Sequence, residues 1–214
     1  MKGFENSYMV LRKAIGILGI IFPFILLFGS ILFSSHIPFQ SSISCYYHTL
    51  MRNIFEGVIW IFAIILVFYQ YKGKDNLITT IAGICALGVA LCPTHVSACA
   101  TCTLPSYWNN ISGDFHNVFA SAFFILLSII SLFLFTKTNT NTPTEEKKKR
   151  NVVYKTCGII MLTCIALIAI YWTMIENHYT WLDNINPVFW LESIALWAFG
   201  VSWITKGEMF LKDK

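Results

Sequence analysis

Six long apolar segments dominate this chain and constrain its fold more than any other feature. They cover roughly residues 13–34, 53–71, 77–92, 115–136, 153–175 and 187–205. A helix needs about 20 apolar residues to cross the hydrocarbon layer of a membrane. Charged residues make up 12% of the chain, about half of what a soluble domain carries. The sequence therefore predicts an all-α protein, a six-transmembrane-helix bundle that forms a single membrane domain over residues 1–214.

The basic residues alternate from one connection to the next. Every Lys and Arg except Arg52 lies in or beside the N-terminal segment, the connections after the second and fourth apolar segments, or the C-terminal segment. Cytoplasmic loops of membrane proteins are enriched in Lys and Arg. We therefore expect a multi-pass protein of the cell membrane with both termini in the cytoplasm and residues 137–152 as a cytoplasmic linker. The enrichment of cytoplasmic loops in Lys and Arg also explains the basic linker, so nucleic acid is not expected as a partner. The expected partners are membrane lipids.

The opposite connections hold most of the side chains with chemical potential. All five histidines lie there or in the outermost turn of a predicted span. Glu56 and Glu192 lie one or two helical turns inside the same boundary. The outer connections also hold four cysteines, namely Cys45, Cys92, Cys99 and Cys102. Chemistry, if the protein performs any, is expected on the outer side.

A polar stripe leads into the second apolar segment. Ser44, His48, Arg52 and Glu56 recur at intervals of four, so they form one ridge if the helix begins as early as Ser44. A charge near hydrocarbon is costly unless it is paired or faces the protein interior. In the structural interpretation, Arg52 pairs with Glu56 or with Glu192. In the functional interpretation, the ridge lines a pocket in which Arg52 holds an anionic headgroup.

Two further residues enter from the same side. His116 begins the fourth apolar segment and is followed by small residues, and Glu192 is expected at a similar depth in the last segment. A lone histidine at a membrane interface is usually a hydrogen-bonded anchor. The presence of His48 on the same side favours a second interpretation, in which both imidazoles are metal ligands.

The segment CPTHVSACATC allows three interpretations. Its spacing, Cys92-x2-His95-x3-Cys99-x2-Cys102, is compatible with a zinc site made of three cysteines and one histidine. The Cys99-x2-Cys102 pair could instead be a redox dithiol. In the third interpretation the cysteines form structural disulfides, which an outer compartment permits, and Cys45 could join this loop to the polar stripe.

The segments SISCYYHTLMRNIFEGV and FWLESIALWAFGVSWITKGE resemble a family of uncharacterised bacterial six-span membrane proteins. This resemblance covers most of the chain and implies the bacterial inner membrane, but no activity. Ser44-x3-His48 is also similar to an element in an early span of the alkaline ceramidase and adiponectin-receptor superfamily, whose members are seven-span zinc hydrolases of lipid amides. The paired histidines of that superfamily's last span are absent here.

These features together predict an outward-facing, membrane-embedded polar site that binds or hydrolyses a lipid-like substrate. In the enzymatic version, a metal such as zinc, held by His48, His116 and a carboxylate, would lower the pKa of bound water. Glu56 or Glu192 would then act as the general base, and Ser44 completes the candidate catalytic set.

Two alternatives remain open at this point. The first is a non-enzymatic lipid-binding or transport protein in which Arg52 and Glu56 form a gated ion pair. The second is a membrane thiol-disulfide oxidoreductase that uses Cys99 and Cys102.

Overall fold

The computed structural model describes residues 2–33, 39–69, 75–99, 110–138, 142–175 and 185–212. All regular structure in these ranges is helical. Two short 3-10 helices, Ser44–His48 and Val96–Ala98, lie in the connections. The six α-helices are α1 (Lys2–Phe33), α2 (Arg52–Phe68), α3 (Asp75–Leu91), α4 (Asn110–Ile129), α5 (Glu145–Ile170) and α6 (Pro187–Lys206).

Four of these helices are long and apolar enough to cross a membrane. They are α1 over Tyr8–Phe33, α4 over Ser112–Leu134, α5 over Glu145–Met174, and α6, where π-helical turns at Ile130–Leu134 and Tyr171–Ile175 extend α4 and α5. α2 and α3 have 17 residues each, or about 25 Å at 1.5 Å per residue, which is near the lower limit for a span. The helical, apolar architecture fits a multi-pass membrane protein, and the number of crossings stays a prediction.

The helices form a closed ring in chain order. Each helix packs on the helix before it and the helix after it, and α6 returns to pack on α1. Aromatic side chains fill the centre, where the ring of Phe62 meets those of Phe22 and Phe199 in edge-to-face contacts, a favoured geometry for aromatic pairs. Contacts between the end of one helix and the start of its neighbour show that neighbouring helices are antiparallel, so the residues of the bundle fall at two opposite ends.

The two ends carry different chemistry. Arg12, near the start of α1, bonds to Tyr69 after α2 and to the carbonyl of Lys206 at the end of α6. At the other end, His116 near the start of α4 bonds to Cys92, which follows α3. Arg12 and Lys206 thus lie at one end of the bundle, and His116 and Cys92 lie at the other.

α5 begins inside the segment expected to be a linker. Thr144 caps the helix, because its hydroxyl accepts a hydrogen bond of 3.1 Å from the backbone N–H of Lys147. Glu145 and Glu146 occupy the first turn, where a helix dipole favours negative charge. Residues 145–152 of the predicted 137–152 linker are therefore helical.

Candidate functional site: a polar chamber at the histidine end

The polar stripe of the sequence is divided between two helices. Ser44–His48 forms a separate 3-10 helix, and α2 begins only at Arg52. Between them Thr49 is extended, with φ −117° and ψ 179°, and its hydroxyl donates to the carbonyl of Tyr46 at 2.8 Å. A single ridge would need one continuous helix from Ser44 to Glu56. Because the helix is interrupted at Thr49, the residues of the stripe have different surroundings.

Glu192 is fixed to the start of the 3-10 helix. Its Oε2 accepts a hydrogen bond of 2.6 Å from the backbone N–H of Ile43, and the N–H of Ser44 interacts with the same carboxylate. The first N–H groups of a helix have no partner within the helix, and the Glu192 carboxyl group supplies an acceptor for them. Glu192 therefore ties α6 to the connection between α1 and α2.

A cavity of about 70 Å³ brings three of the predicted site residues together. We call it the polar chamber. Its polar lining includes Ser44, Glu192, His116, Asn117 and Ser121. A cavity needs a volume of about 10–15 Å³ to hold one buried water. The polar chamber therefore has room for a few waters or for the polar end of a ligand.

His116 presents one ring nitrogen that has no protein partner. Its side chain is 2% exposed, and its Nδ1 lies 2.6 Å from the carbonyl oxygen of Cys92. A carbonyl can only accept, so Nδ1 carries the proton and Nε2 carries a lone pair. Nε2 is buried and has no hydrogen-bond partner among the residues described. His116 thus brings a hydrogen-bond acceptor to the chamber.

The polar chamber shares wall residues with two neighbouring cavities. An apolar pocket of about 30 Å³ shares Ser44 and Glu192 with it, and a vestibule of about 130 Å³ shares Thr94 and Trp172. The remaining apolar-pocket lining is almost entirely hydrocarbon, namely Phe22, Ile43, Phe55, Ile59, Val89, Ala120, Phe123, Phe124 and Leu196. The three cavities therefore lie side by side, with polar and apolar surroundings in close proximity.

Sequence reasoning missed Thr94 and Trp172 in this lining. Trp172 lies in the π-helical turn Tyr171–Ile175, a feature that often accompanies functional sites. No local pattern in the sequence signals a π turn. Thr94 follows α3, and its role appears only when the chain after α3 is seen to face the 3-10 helix.

Arg52 and Glu56 form the predicted i, i+4 ion pair and do not line the polar chamber. Arg52 Nε lies 3.7 Å from Glu56 Oε1, with side chains 22% and 31% exposed. The guanidinium carbon also lies 4.1 Å from the ring centroid of Tyr47. Tyr47 is a partner that the spacing of four could not indicate, because the break at Thr49 separates it from α2.

His48 is held by the backbone. Its Nε2–H donates to the carbonyl of Thr94 at 2.8 Å. Burial lowers the pKa of His48 below its usual value, and the positive charge of Arg52 lowers it further, although the Thr94 hydrogen bond acts in the opposite direction. Within the described part of the chain, no group of three or more His, Cys, Asp or Glu side chains is arranged to hold a metal ion. The predicted zinc set of His48, His116 and a carboxylate is not assembled there.

The cysteine loop is joined to the polar stripe by a disulfide. Cys45 pairs with Cys99, with their Cα atoms 5.3 Å apart, which is a usual disulfide separation. Cys92 is a free thiol, and His95 Nε2 lies 3.0 Å from Asp114 Oδ1. Cys102 lies outside the described residues, so the redox pairing of Cys99 with Cys102 remains a prediction.

Comparison with known proteins gives no functional information, so the proposed function depends on the geometry of the polar chamber. Neither models of protein families, nor curated proteins, nor solved structures match this chain.

Proposed function

We propose that this chain is a six-span membrane protein that binds a lipid-like molecule from the outer side of the membrane. The observation that carries this proposal is the polar chamber, where the unpartnered Nε2 of His116 and the carboxylate of Glu192 adjoin an apolar pocket. Binding sites for small molecules combine apolar walls with a few convergent polar groups. A molecule with a polar head and an apolar tail matches that combination.

The chamber favours a head that donates hydrogen bonds. The Nε2 of His116 is an acceptor, and the Glu192 carboxylate has acceptor capacity beyond its bond to Ile43. An anionic head would find no Lys or Arg partner in the described lining of the chamber, and Arg52 pairs with Glu56 outside it. The proposed ligand therefore carries a hydroxyl, amide or ammonium head rather than a phosphate.

The apolar pocket limits how much of the ligand is enclosed. At about 30 Å³ it is much smaller than an engineered cavity of about 150 Å³ that binds benzene. It therefore takes only the first part of an acyl chain, and the rest of the chain lies between helices or in the bilayer. A single-chain lipid fits this arrangement better than a lipid with two bulky chains.

The test uses the full-length protein in nanodiscs and three single-chain lipids with the same tail and different heads. The heads are a hydroxyl, a primary ammonium and a phosphate, and the readout is tryptophan fluorescence, since Trp172 lines the chamber. Wild-type protein should bind the first two at least tenfold more tightly than the third, because the described chamber lining offers the anion no Lys or Arg to replace its lost hydration. Equal affinity for all three heads would refute the chamber as the site.

Glu192→Gln and Glu56→Gln form a matched pair of variants. Both remove a carboxylate from the outer part of a helix, but only Glu192 lines the chamber. Glu192→Gln should weaken binding of the ammonium lipid about tenfold, which corresponds to about 1.4 kcal/mol, and Glu56→Gln should leave it unchanged. Release of free fatty acid from an amide- or ester-linked ligand in the same samples would extend the proposal from binding to hydrolysis.

A further inference from the structure

The vestibule beside the polar chamber has a volume suited to a small ring. Its volume of about 130 Å³ is close to that of an engineered cavity of about 150 Å³ that binds benzene. The vestibule shares Thr94, Ser97 and Trp172 with a groove of about 400 Å³, so there is space for groups bonded to such a ring. Ser97 and Asn186 line the vestibule but not the polar chamber, and the two cavities can therefore be tested separately.

The polar lining of the vestibule is uncharged. Its described wall contains the serines and threonine Ser41, Ser42, Thr94 and Ser97 and the amide residue Asn186, and it contains no Lys, Arg, His, Asp or Glu. Hydroxyls and amides both donate and accept hydrogen bonds. A charged ligand would lose its hydration there without gaining a counter-charge. A neutral ligand with several hydroxyls would find complementary partners.

Three of these polar groups are not used by the fold. The hydroxyls of Thr94 and Ser97 and the amide of Asn186 form no hydrogen bond within the described part of the chain. Thr94 is 8% exposed, and buried polar side chains normally have a hydrogen-bond partner. The wall of the vestibule therefore offers donors and acceptors to a ligand.

Asn186 is kept out of its usual structural role. It is the N-cap residue of α6, and an Asn in that position usually accepts a hydrogen bond from the backbone N–H two or three residues later. Here the N–H of Phe189 donates instead to the carbonyl of Ser41 at 3.0 Å, and the Asn186 side chain makes no capping hydrogen bond. Its φ of 48° lies in the left-handed region, which non-glycine residues rarely adopt. The Asn186 amide thus remains in the vestibule wall with its donors and acceptor unused.

Trp172 supplies an aromatic face to the same cavity. It lines the polar chamber, the vestibule and the groove, and it is 38% exposed. Its ring contacts no other aromatic ring among the residues that the structure describes. The face of an aromatic ring is electron-rich and attracts C–H groups that are polarised by a neighbouring oxygen. A pyranose ring carries such C–H groups on its faces and hydroxyls on its edge, so Trp172 and the uncharged wall match different parts of one sugar.

We propose that the vestibule binds a neutral hexose ring, supplied by the head of a single-chain glycolipid or by a free sugar. Trp172 packs against one face of the ring, and Thr94, Ser97 and Asn186 bond to its hydroxyls. The glycolipid version rests on the function proposed above, because the polar chamber would hold the linkage between the sugar and the tail. The free-sugar version does not depend on that function.

The first test compares ligands with the wild-type protein. Full-length protein in nanodiscs is titrated with single-chain lipids that share one tail and carry a glucosyl, a galactosyl or a hydroxyl head. Saturation-transfer NMR measures the binding of free methyl glucoside and methyl galactoside, with sorbitol as a control that has hydroxyls but no ring. One hexosyl lipid should bind at least tenfold more tightly than the hydroxyl lipid, because two or more hydrogen bonds are added.

Each outcome of this comparison has one meaning. Tighter binding of a hexosyl lipid supports a glycolipid as the source of the sugar. Binding of a methyl hexoside without that lipid preference supports a free sugar. If neither appears, or if sorbitol binds as well as the methyl hexosides, the proposal is wrong.

The second test uses a matched pair of asparagine variants. Asn186→Gly removes the amide and keeps the left-handed conformation, which glycine adopts without strain. Asn53 is exposed at the start of α2 and does not line the vestibule. Asn186→Gly should weaken binding of the hexose ligand about fivefold, the effect of one hydrogen bond, and Asn53→Ala should leave it unchanged. Ser97→Ala is a second vestibule variant if Asn186→Gly does not fold. Equal affinities for the vestibule variant and Asn53→Ala would overturn the proposal.

The same ligands separate this proposal from the function proposed for the polar chamber. Binding of a methyl hexoside that depends on Asn186, without binding of any single-chain lipid, would support the vestibule site and refute lipid binding. Binding of the hydroxyl lipid without any preference for a hexosyl head, and without binding of a methyl hexoside, would support lipid binding and refute the vestibule site.

Discussion

Glu192 and Ile43 are 149 residues apart in the chain and are joined by a hydrogen bond of 2.6 Å. This bond holds the 3-10 helix against α6 from one direction, and the disulfide between Cys45 and Cys99 holds it from another. Ser44 lies between these two attachments and lines the polar chamber. The short connection between α1 and α2 is therefore a wall of the proposed site.

The disulfide should contribute measurable stability. Cys45→Ser opens a loop of 54 residues, and closing such a loop typically contributes about 2–4 kcal/mol. We expect a lower unfolding temperature for Cys45→Ser in detergent, and no comparable change for Cys92→Ser, whose thiol is free. Peptide mapping without reductant should recover Cys45 linked to Cys99. Recovery of Cys99 linked to Cys102 would instead favour the redox interpretation.

Arg52 should be coupled more strongly to Tyr47 than to Glu56. The guanidinium lies over the Tyr47 ring at 4.1 Å, a contact worth about 0.5–2 kcal/mol. The ion pair at 3.7 Å is partly exposed, and such pairs contribute about 0.2–1 kcal/mol. Double-mutant cycles of Arg52→Gln with Tyr47→Leu and with Glu56→Gln measure the two energies. A larger coupling to Glu56 would contradict this ranking.

Substitution of Gly200 should disrupt the packing of α1 on α6. A Cβ atom at Gly200 would lie 2.5 Å from the carbonyl oxygen of Gly16, so the two helices would have to separate. Gly200→Ala should destabilise the protein by about 1–3 kcal/mol. Gly57→Ala is the control, because a Cβ there meets nothing within 4 Å. That variant should gain about 0.5–1 kcal/mol from the helix propensity of alanine.

The histidine end of the bundle should lose stability in acid through His48. Burial holds the folded-state pKa of His48 below the usual 6.5, so the unfolded state binds the proton first as the pH falls. The free energy of unfolding that depends on neutral His48 is therefore fully present above pH 6.5, and it decreases as the pH falls below that value. Unfolding temperatures between pH 8 and pH 5 should fall more steeply for wild type than for His48→Gln, whose amide can still donate to Thr94. Parallel curves for the two proteins would contradict the assignment to His48.

Much of the architecture follows from local sequence properties. An apolar segment of about 20 residues must form a helix in lipid, because every backbone polar group needs a partner within the segment. The separation of basic residues from histidines onto alternate connections likewise becomes two ends of the bundle once neighbouring helices are antiparallel. Neither inference requires knowledge of which helices touch.

Only the tertiary structure decided how the predicted site residues are divided. One chamber is lined by Ser44, His116 and Glu192, whereas Arg52 and Glu56 form an ion pair outside it. The reason is the extended residue Thr49, which separates the 3-10 helix from α2. The pairing of Cys45 with Cys99 and the contact of Arg12 with Lys206 depend on which helices are neighbours in the ring. The sequence offered a link between Cys45 and the cysteine loop as one interpretation, but these contacts join residues that are distant in the chain, so no spacing in the sequence could select among the possible pairings.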